Sequence, residues 1–189
     1  MFEKLLIKYA SPTLGGIKSG NLFKIYLDDY TDLENLISYY NTLLNPFDVY
    51  LYSLYKSKTY ALIYIYRLEF LIKDFSDLEI ISFLKSYNYN PFNIDDCLKK
   101  LKSAFETNIK TPHEVGLFLG YPIKDVKGFI NNKGKNYKLC GCWKVYDNVD
   151  KCTKLFKSYK DCKSRFEFLY SIGYPFESLI YEKKIHRLL

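Results

Sequence analysis

Hydrophobic and polar positions change their spacing several times along the chain, and the changes predict both helices and strands. Leucine and isoleucine recur at helical spacing in residues 32–44. Two tyrosine-rich runs, residues 49–55 and 60–66, follow and are separated by the polar segment Lys56-Ser57-Lys58-Thr59. Runs of β-branched and aromatic residues around a short polar connection are typical of a β-hairpin. The hairpin is predicted as the main part of a small antiparallel sheet.

Helical spacing dominates the rest of the chain. The predicted helices cover residues 1–9, 21–27, 68–74, 77–87, 95–107, 123–132, 150–172 and 175–189. Ser76 and Asn93 are predicted N-caps. Residues 10–20, which contain Pro12 and three glycines, are predicted to break the first helix, and residues 137–146 to form a third strand. The pattern predicts a helix-rich α+β fold, in a single domain over residues 1–189 because this length suits one core.

Composition and charge narrow the functional classes. No apolar run reaches the roughly 20 residues that span a bilayer, and residues 1–9 carry three charged side chains instead of a signal-peptide core. We therefore expect a cytoplasmic protein whose five cysteines are free thiols. The net charge is +7, but the lysines are scattered. A solvated surface explains them better than a nucleic-acid or membrane site.

The cysteine and glycine patterns give no reason to expect a metal or a cofactor. Cys140 and Cys142 have one residue between them, whereas metal sites and redox motifs usually have two, and no second close pair completes a ligand set. The glycine-containing segment around Gly15 and Gly16 does not match a phosphate-binding loop.

His113 is the first candidate for proton chemistry. It is one of two histidines, and the other, His186, lies in a basic C-terminal tail. An imidazole changes its charge near neutral pH and can act as a general base. The segment Thr111-Pro112-His113-Glu114 also fits a capping box, with Thr111 as N-cap and Glu114 bonding back. In that interpretation His113 is an ordinary polar residue in a first helical turn, and both interpretations stay open.

Several segments of this chain resemble a clostridial family of unknown function, over about residues 9–162. The segments that carry the resemblance are Pro12-Thr13-Leu14-Gly15-Gly16-Ile17-Lys18, Asn21-Leu22-Phe23, His113-Glu114-Val115-Gly116-Leu117-Phe118-Leu119-Gly120-Tyr121-Pro122, Asp125-Val126-Lys127-Gly128-Phe129-Ile130 and Gly141-Cys142-Trp143-Lys144-Val145-Tyr146. Within that family, the pattern is similar to the atypical cysteine-protease-like amide synthases that assemble the polythioamide antibiotic closthioamide. The resemblance implies a papain-like cysteine-protease fold. It also implies a Cys–His site that moves an acyl group from a carrier-protein thioester onto a small diamine without a cofactor.

The resemblance places a cysteine nucleophile at position 10, where this chain has Ala10. A methyl group cannot accept an acyl group. The chain is then either a naturally inactive relative or a Cys→Ala variant, and the intact remaining segments favour the variant. Ser11-Pro12 also reads as a cap and first turn, which would put position 10 beside a helix N-terminus that lowers a thiol's pKa. His113 would be the base, with Glu114 or Asp125 as the third triad member.

The remaining candidate residues would bind the substrate. Ser11 and Thr13 flank position 10, and Gly15 and Gly16 permit close approach of a ligand to the backbone. Trp143 is either a core anchor or a shield over the site. Carrier proteins are generally acidic, so the +7 charge would steer one toward this chain.

Two other functions stay open at this point. One is a cysteine peptidase or amidase that acts on peptides without a carrier protein. The other is a non-enzymatic binding module with a tyrosine-rich surface, for which salt-dependent RNA affinity would be the discriminating observation.

Overall fold

The computed structural model describes residues 1–30, 32–107 and 111–181. In that part of the chain the helices are α1 (Phe2–Leu14), α2 (Leu33–Leu44), α3 (Leu68–Asp74), α4 (Leu78–Ser86), α5 (Ile94–Thr107), α6 (Val115–Phe118), α7 (Ile123–Asn131), α8 (Val149–Ser171) and α9 (Phe176–Tyr181). The strands are β1 (Gly20–Tyr26), β2 (Val49–Lys56), β3 (Tyr60–Arg67), β4 (Leu139–Cys140) and β5 (Lys144–Val145). Helices dominate and the sheets are antiparallel, so the predicted helix-rich α+β class is confirmed.

The chain divides into two compact units. The first unit is Met1–Phe70 with Asp161–Leu189, and the second unit is Leu71–Lys160. The single domain over residues 1–189 stays a prediction. Within the described ranges, no helix is long and apolar enough to cross a membrane.

The sheet of the first unit has the order β1-β3-β2. The predicted hairpin is confirmed as β2 and β3, which pair from Val49↔Arg67 to Lys56↔Ala61 with a register shift near Ser53. The predicted helix at residues 21–27 is wrong, because this segment is strand β1 and pairs with β3 along its length. Its buried Phe23 and Ile25 alternate with exposed residues, which is the two-residue period of a strand.

Helix α1 runs five residues beyond its predicted end. Phe2, Leu6, Ala10 and Leu14 recur every four residues and are all buried, so continuing the helix keeps one apolar stripe against the core. Pro12 cannot donate to the carbonyl of Lys8, four residues earlier, and Lys8 lies on the exposed side of the helix. The predicted break at residues 10–20 is therefore wrong up to Leu14.

The core of the first unit lies between the sheet and the helices α1, α2 and α9, with Phe166 of α8. Helix α2 begins as predicted after Asp32, whose carboxylate accepts a hydrogen bond from Asn35 N–H. The predicted terminal helix over residues 175–189 is described only up to Tyr181, and its remainder lies outside the described residues.

The second unit contains α4 to α7, a short hairpin and the first part of α8. The single strand predicted for residues 137–146 is wrong, because Leu139↔Val145 and Cys140↔Lys144 pair as a separate hairpin. Asp77 caps α4 by accepting from two backbone N–H groups, so the predicted Ser76 cap is also wrong. The Asn93 cap is confirmed by its bond from Asp96 N–H.

Candidate active site

His113 lies on an exposed turn just ahead of a buried helix. Its ring packs against Phe129 edge-on, with centroids 5.0 Å apart and planes at 67°. Its backbone carbonyl accepts a hydrogen bond from Gly116 N–H, and all four residues of α6 are buried. The apolar run after His113 thus fixes the backbone while the imidazole stays accessible to solvent.

Glu114 is held by a buried tyrosine rather than by a capping box. Its side chain makes no cap bond, and its carboxylate accepts a hydrogen bond of 3.0 Å from the Tyr89 hydroxyl. Burial raises the pKa of Tyr89 well above its ordinary value, and the charge on Glu114 adds to that rise. The predicted capping box from Thr111 is wrong, since Glu114 itself is the N-cap and its buried carboxylate is bonded elsewhere.

A cavity of about 730 Å³ opens beside the imidazole, and we call it the His113 cavity. Its lining comprises Thr111, Pro112, His113, Val115, Gly116, Tyr121, Asp125, Val126, Phe129, Cys140, Gly141, Cys142, Trp143 and Lys144. Tyr121 and Trp143 stack with centroids 4.7 Å apart and form a flat aromatic wall. Cavities of roughly 300–1,000 Å³ with apolar walls and few polar groups are typical binding sites for small organic ligands.

Asp125 anchors the hairpin that carries one wall of the His113 cavity. Asp125 is 2% exposed, and its carboxylate accepts hydrogen bonds from Trp143 Nε1–H at 2.8 Å, Tyr146 N–H at 2.7 Å and Asp147 N–H at 3.1 Å. The thiol of Cys152 lies 3.6 Å from the same carboxylate. One side chain of α7 therefore fixes the indole and the backbone of the following segment.

Cys140 and Cys142 lie on the hairpin at the His113 cavity, and both are exposed and outside any disulfide. Sequence reasoning considered this pair only as a metal or redox motif and missed its place on the cavity that His113 also lines. Burial raises the pKa of Tyr121 to about 12, and the charge on Cys142 contributes. The signal that could have found this place is the Cys-Gly-Cys-Trp segment, which follows the His113 block and ends in the single tryptophan.

Ala10 lies inside the core of the first unit, with no exposed surface. It stands in the C-terminal half of α1, so the predicted position beside a helix N-terminus is wrong. The reason is that Ser11-Pro12 does not begin a helix but continues one. Ser11 Oγ–H donates to the Ile7 carbonyl one turn earlier, which is the bond of a residue within a helix.

The fold also constrains the residues that follow position 10, namely Thr13, Gly15 and Gly16. Thr13 Oγ1–H donates to Asn21 Oδ1 at 2.8 Å, and Thr13 is fully buried. Gly15 caps α1, and a Cβ there would lie 2.8 Å from Cys162 Sγ, so only glycine fits without a shift. Gly16 has a φ of 68°, a conformation that favours glycine. A substrate-binding role for these residues stays a prediction.

Arg67 holds the C-terminal end of α1, and sequence reasoning missed it. Arg67 is 3% exposed, and its guanidinium donates to the carbonyls of Thr13, Leu14 and Phe47. Burial lowers the pKa of Arg67, while Asp48 and Glu69 oppose that shift. The carbonyls that end a helix lack intrahelical donors. The planar guanidinium supplies donors at this end of α1, where the Thr13 carbonyl also accepts a hydrogen bond from Gly16 N–H.

The two candidate third triad members occupy different places. Asp125 lines the His113 cavity and Glu114 does not. Among the described residues, neither carboxylate is hydrogen-bonded to His113, since Glu114 binds Tyr89 and Asp125 binds the hairpin. Trp143 is buried in a small core and also lines the cavity, while its role as a shield over a catalytic site stays a prediction. His186 lies outside the described residues.

Comparison with known proteins identifies a family but no function. Residues 6–180 match the model of a family described as "Protein of unknown function (DUF3793)". No curated protein and no solved structure matches the chain. The papain-like topology therefore stays a prediction, although the α+β class is confirmed.

Proposed function

We propose that this chain, which belongs to the DUF3793 family of proteins of unknown function, transfers an acyl group from a thioester onto an amine. The His113 cavity is the observation that supports the proposal most strongly. It combines an accessible imidazole with aromatic walls in a space that suits a small acyl chain and an amine.

The cavity supplies what aminolysis of a thioester requires. A thioester is already activated, so no cofactor is needed to make the amide. The aromatic wall of Tyr121 and Trp143 holds an apolar acyl group and limits water near the carbonyl, which favours an amine over hydrolysis. His113 removes the proton from the attacking amine and returns one to the departing thiol.

Position 10 decides whether the reaction passes through an acyl-enzyme at that site. The resemblance puts a cysteine there, and the methyl group of Ala10 cannot form a thioester. In the chain as it stands, therefore, substrate can bind but cannot be transferred through position 10. The chain corresponds to an enzyme that lacks this nucleophile.

The partners follow from charge and from the resemblance. An acidic acyl carrier protein would deliver the thioester to a chain of net charge +7, because opposite charges speed association. The acceptor is a small diamine, and the finer proposal is a step in the assembly of closthioamide-type polythioamides. Five cysteines that form no disulfide suit the reducing cytoplasm, where we place this reaction.

The decisive experiment restores a thiol at position 10. Ala10→Cys is incubated with acyl-carrier thioesters and short diamines, and amides are measured by mass spectrometry. We expect amide from Ala10→Cys and much less from the matched control Ala10→Ser, whose hydroxyl is of similar size but is a weaker nucleophile. Adding His113→Ala to Ala10→Cys should lower the rate about 10²–10⁴-fold.

Two results would count against this function. Equal amide yields from Ala10→Cys and the unmodified chain would refute a nucleophile at position 10. Cleavage of peptides by Ala10→Cys, without amide from any thioester, would make the protein a peptidase. Salt gives a further check, because screening should slow the carrier-bound substrate and leave a small uncharged thioester unaffected.

A further inference from the structure

The β4–β5 hairpin places a thiol and the imidazole on one cavity. Cys142 is exposed and lines the His113 cavity together with His113 and Trp143. The proposed function leaves this thiol without a role. We propose that Cys142 accepts the acyl group in this chain, an inference that rests on the acyl transfer proposed above.

The hairpin holds Cys142 in a defined position. Asp125 binds the indole N–H of the next residue, Trp143, at 2.8 Å, and Trp143 also packs against Phe156 with centroids 4.5 Å apart. Gly141 N–H donates to the Trp143 carbonyl across the turn. The neighbours on both sides of Cys142 are therefore held in place, and a fixed position favours attack by a nucleophile.

Two phenols distinguish Cys142 from Cys140. The charge on Cys142 raises the pKa of Tyr121 and of Tyr159, in both cases after the larger effect of burial. Both phenols therefore stay protonated at neutral pH, where they carry no charge that would repel a thiolate. Cys140 does not contribute to the pKa shift of either tyrosine, so it serves as a matched control thiol on the same hairpin.

The proposed transfer has two balanced steps. The thiol proton of Cys142 passes to His113, and the thiolate attacks the carbonyl carbon of the incoming thioester. A new carbon–sulfur bond forms to Cys142, the bond to the carrier thiol breaks, and the leaving thiolate takes the proton from His113. An amine then attacks the acyl-Cys142, its proton passes through His113 to the Cys142 sulfur, and the amide departs without any redox change.

The test uses hexanoyl-N-acetylcysteamine, a small thioester, with the full chain carrying Ala10. Peptide mapping by mass spectrometry measures hexanoyl adducts at residues 140 and 142. We expect the adduct at Cys142 to form at least about 10-fold faster than at Cys140, and His113→Gln to slow it by about 10²-fold or more. Cys142→Ser should abolish it, while Cys140→Ser should leave it unchanged.

Equal labelling of the two cysteines, or labelling that His113→Gln does not change, would overturn the inference, since either result describes ordinary exposed thiols. Both serine variants are exposed near-isosteres, and circular dichroism confirms that each is folded before labelling.

The failure of this inference can be told from the failure of the proposed function. Two results together would overturn the inference alone. Ala10→Cys would still form amide when Cys142→Ser is added, and the Ala10 chain would show no adduct at residue 142. An adduct at Cys142 that depends on His113, without amide from any variant, supports acyl acceptance by Cys142 and refutes amide synthesis.

Discussion

Replacing Asp125 by asparagine should destabilise the second unit through one specific clash of donors. Oδ1 of Asp125 accepts from the backbone N–H groups of Tyr146 and Asp147, while Oδ2 accepts from the Trp143 indole N–H. Asparagine has one oxygen and one NH₂ group. If its oxygen keeps the two backbone donors, its NH₂ group faces the indole N–H, and two donors then meet without an acceptor.

The size of this effect follows from the contacts. Hydrogen bonds to a charged group contribute about 1.5–3 kcal/mol each, and a buried unsatisfied donor costs about 1–3 kcal/mol. Asp125→Asn loses the charged bond to the indole and weakens two others, so we expect the free energy of unfolding to fall by about 3 kcal/mol. Trp143→Phe removes the indole donor and leaves the carboxylate its two backbone bonds.

The assay is urea unfolding followed by circular dichroism for both single variants and the double variant. In Asp125→Asn with Trp143→Phe, the opposed donors are gone, so the double variant should lose at least about 1 kcal/mol less than the sum of the singles. Strict additivity would refute the reasoning, because it would mean that the amide and the indole do not interact. Trp143 is the single tryptophan, so its fluorescence in Asp125→Asn also reports whether the cavity wall has moved.

Three further predictions concern stability. Arg67→Met removes a buried charged donor from three carbonyls, of which that of Thr13 keeps a hydrogen bond from Gly16 N–H. It should cost about 3 kcal/mol in urea unfolding. Arg67→Lys should recover little of this because one ammonium cannot match the planar fork. Gly128→Ala puts a Cβ 2.5 Å from the Tyr146 ring. The overpacking should cost about 1–3 kcal/mol, which exceeds the gain of about 1 kcal/mol in helix propensity. A higher urea midpoint in this variant would contradict the prediction. Burial raises the pKa of Tyr40 and of Tyr121 to about 12, so the folded chain holds these protons more tightly than the unfolded chain. The free energy of unfolding should therefore fall from its value at neutral pH as the pH rises from 10 to about 12. Replacing Tyr40 or Tyr121 by phenylalanine should make that fall smaller, as measured by circular dichroism.

The sequence predicted those elements whose cause is local. The hairpin of β2 and β3 has its connection within four residues, and helix α8 has its amphipathic pattern within one segment. Strand β1 was missed because its apolar density also suits a helix, and its partner β3 begins more than thirty residues later in the chain. The capping box failed for the same reason, since the donor that binds Glu114 is Tyr89, from a different element.

The candidate site shows the same division between features with a local cause and features that depend on tertiary contacts. His113 was predicted from its type and its apolar surroundings, and the structure gives it an accessible position on a cavity. The aromatic wall and Cys142 could not be predicted, because tertiary bonds from Asp125 to Trp143 and the following backbone place the hairpin beside α7. No local pattern encodes those bonds.

The position of residue 10 changes what a thiol there would need. Because α1 continues to Leu14, the thiol would lie near the negative end of the helix, which disfavours an anion by about 0.3–1 kcal/mol instead of stabilising it. Arg67 offsets part of this effect by binding two of the terminal carbonyls, but complete burial at position 10 raises a thiol's pKa further. The helix therefore cannot be what activates such a nucleophile. A base that activates such a nucleophile would have to lie outside α1, and adding His113→Ala to Ala10→Cys tests whether His113 is that base.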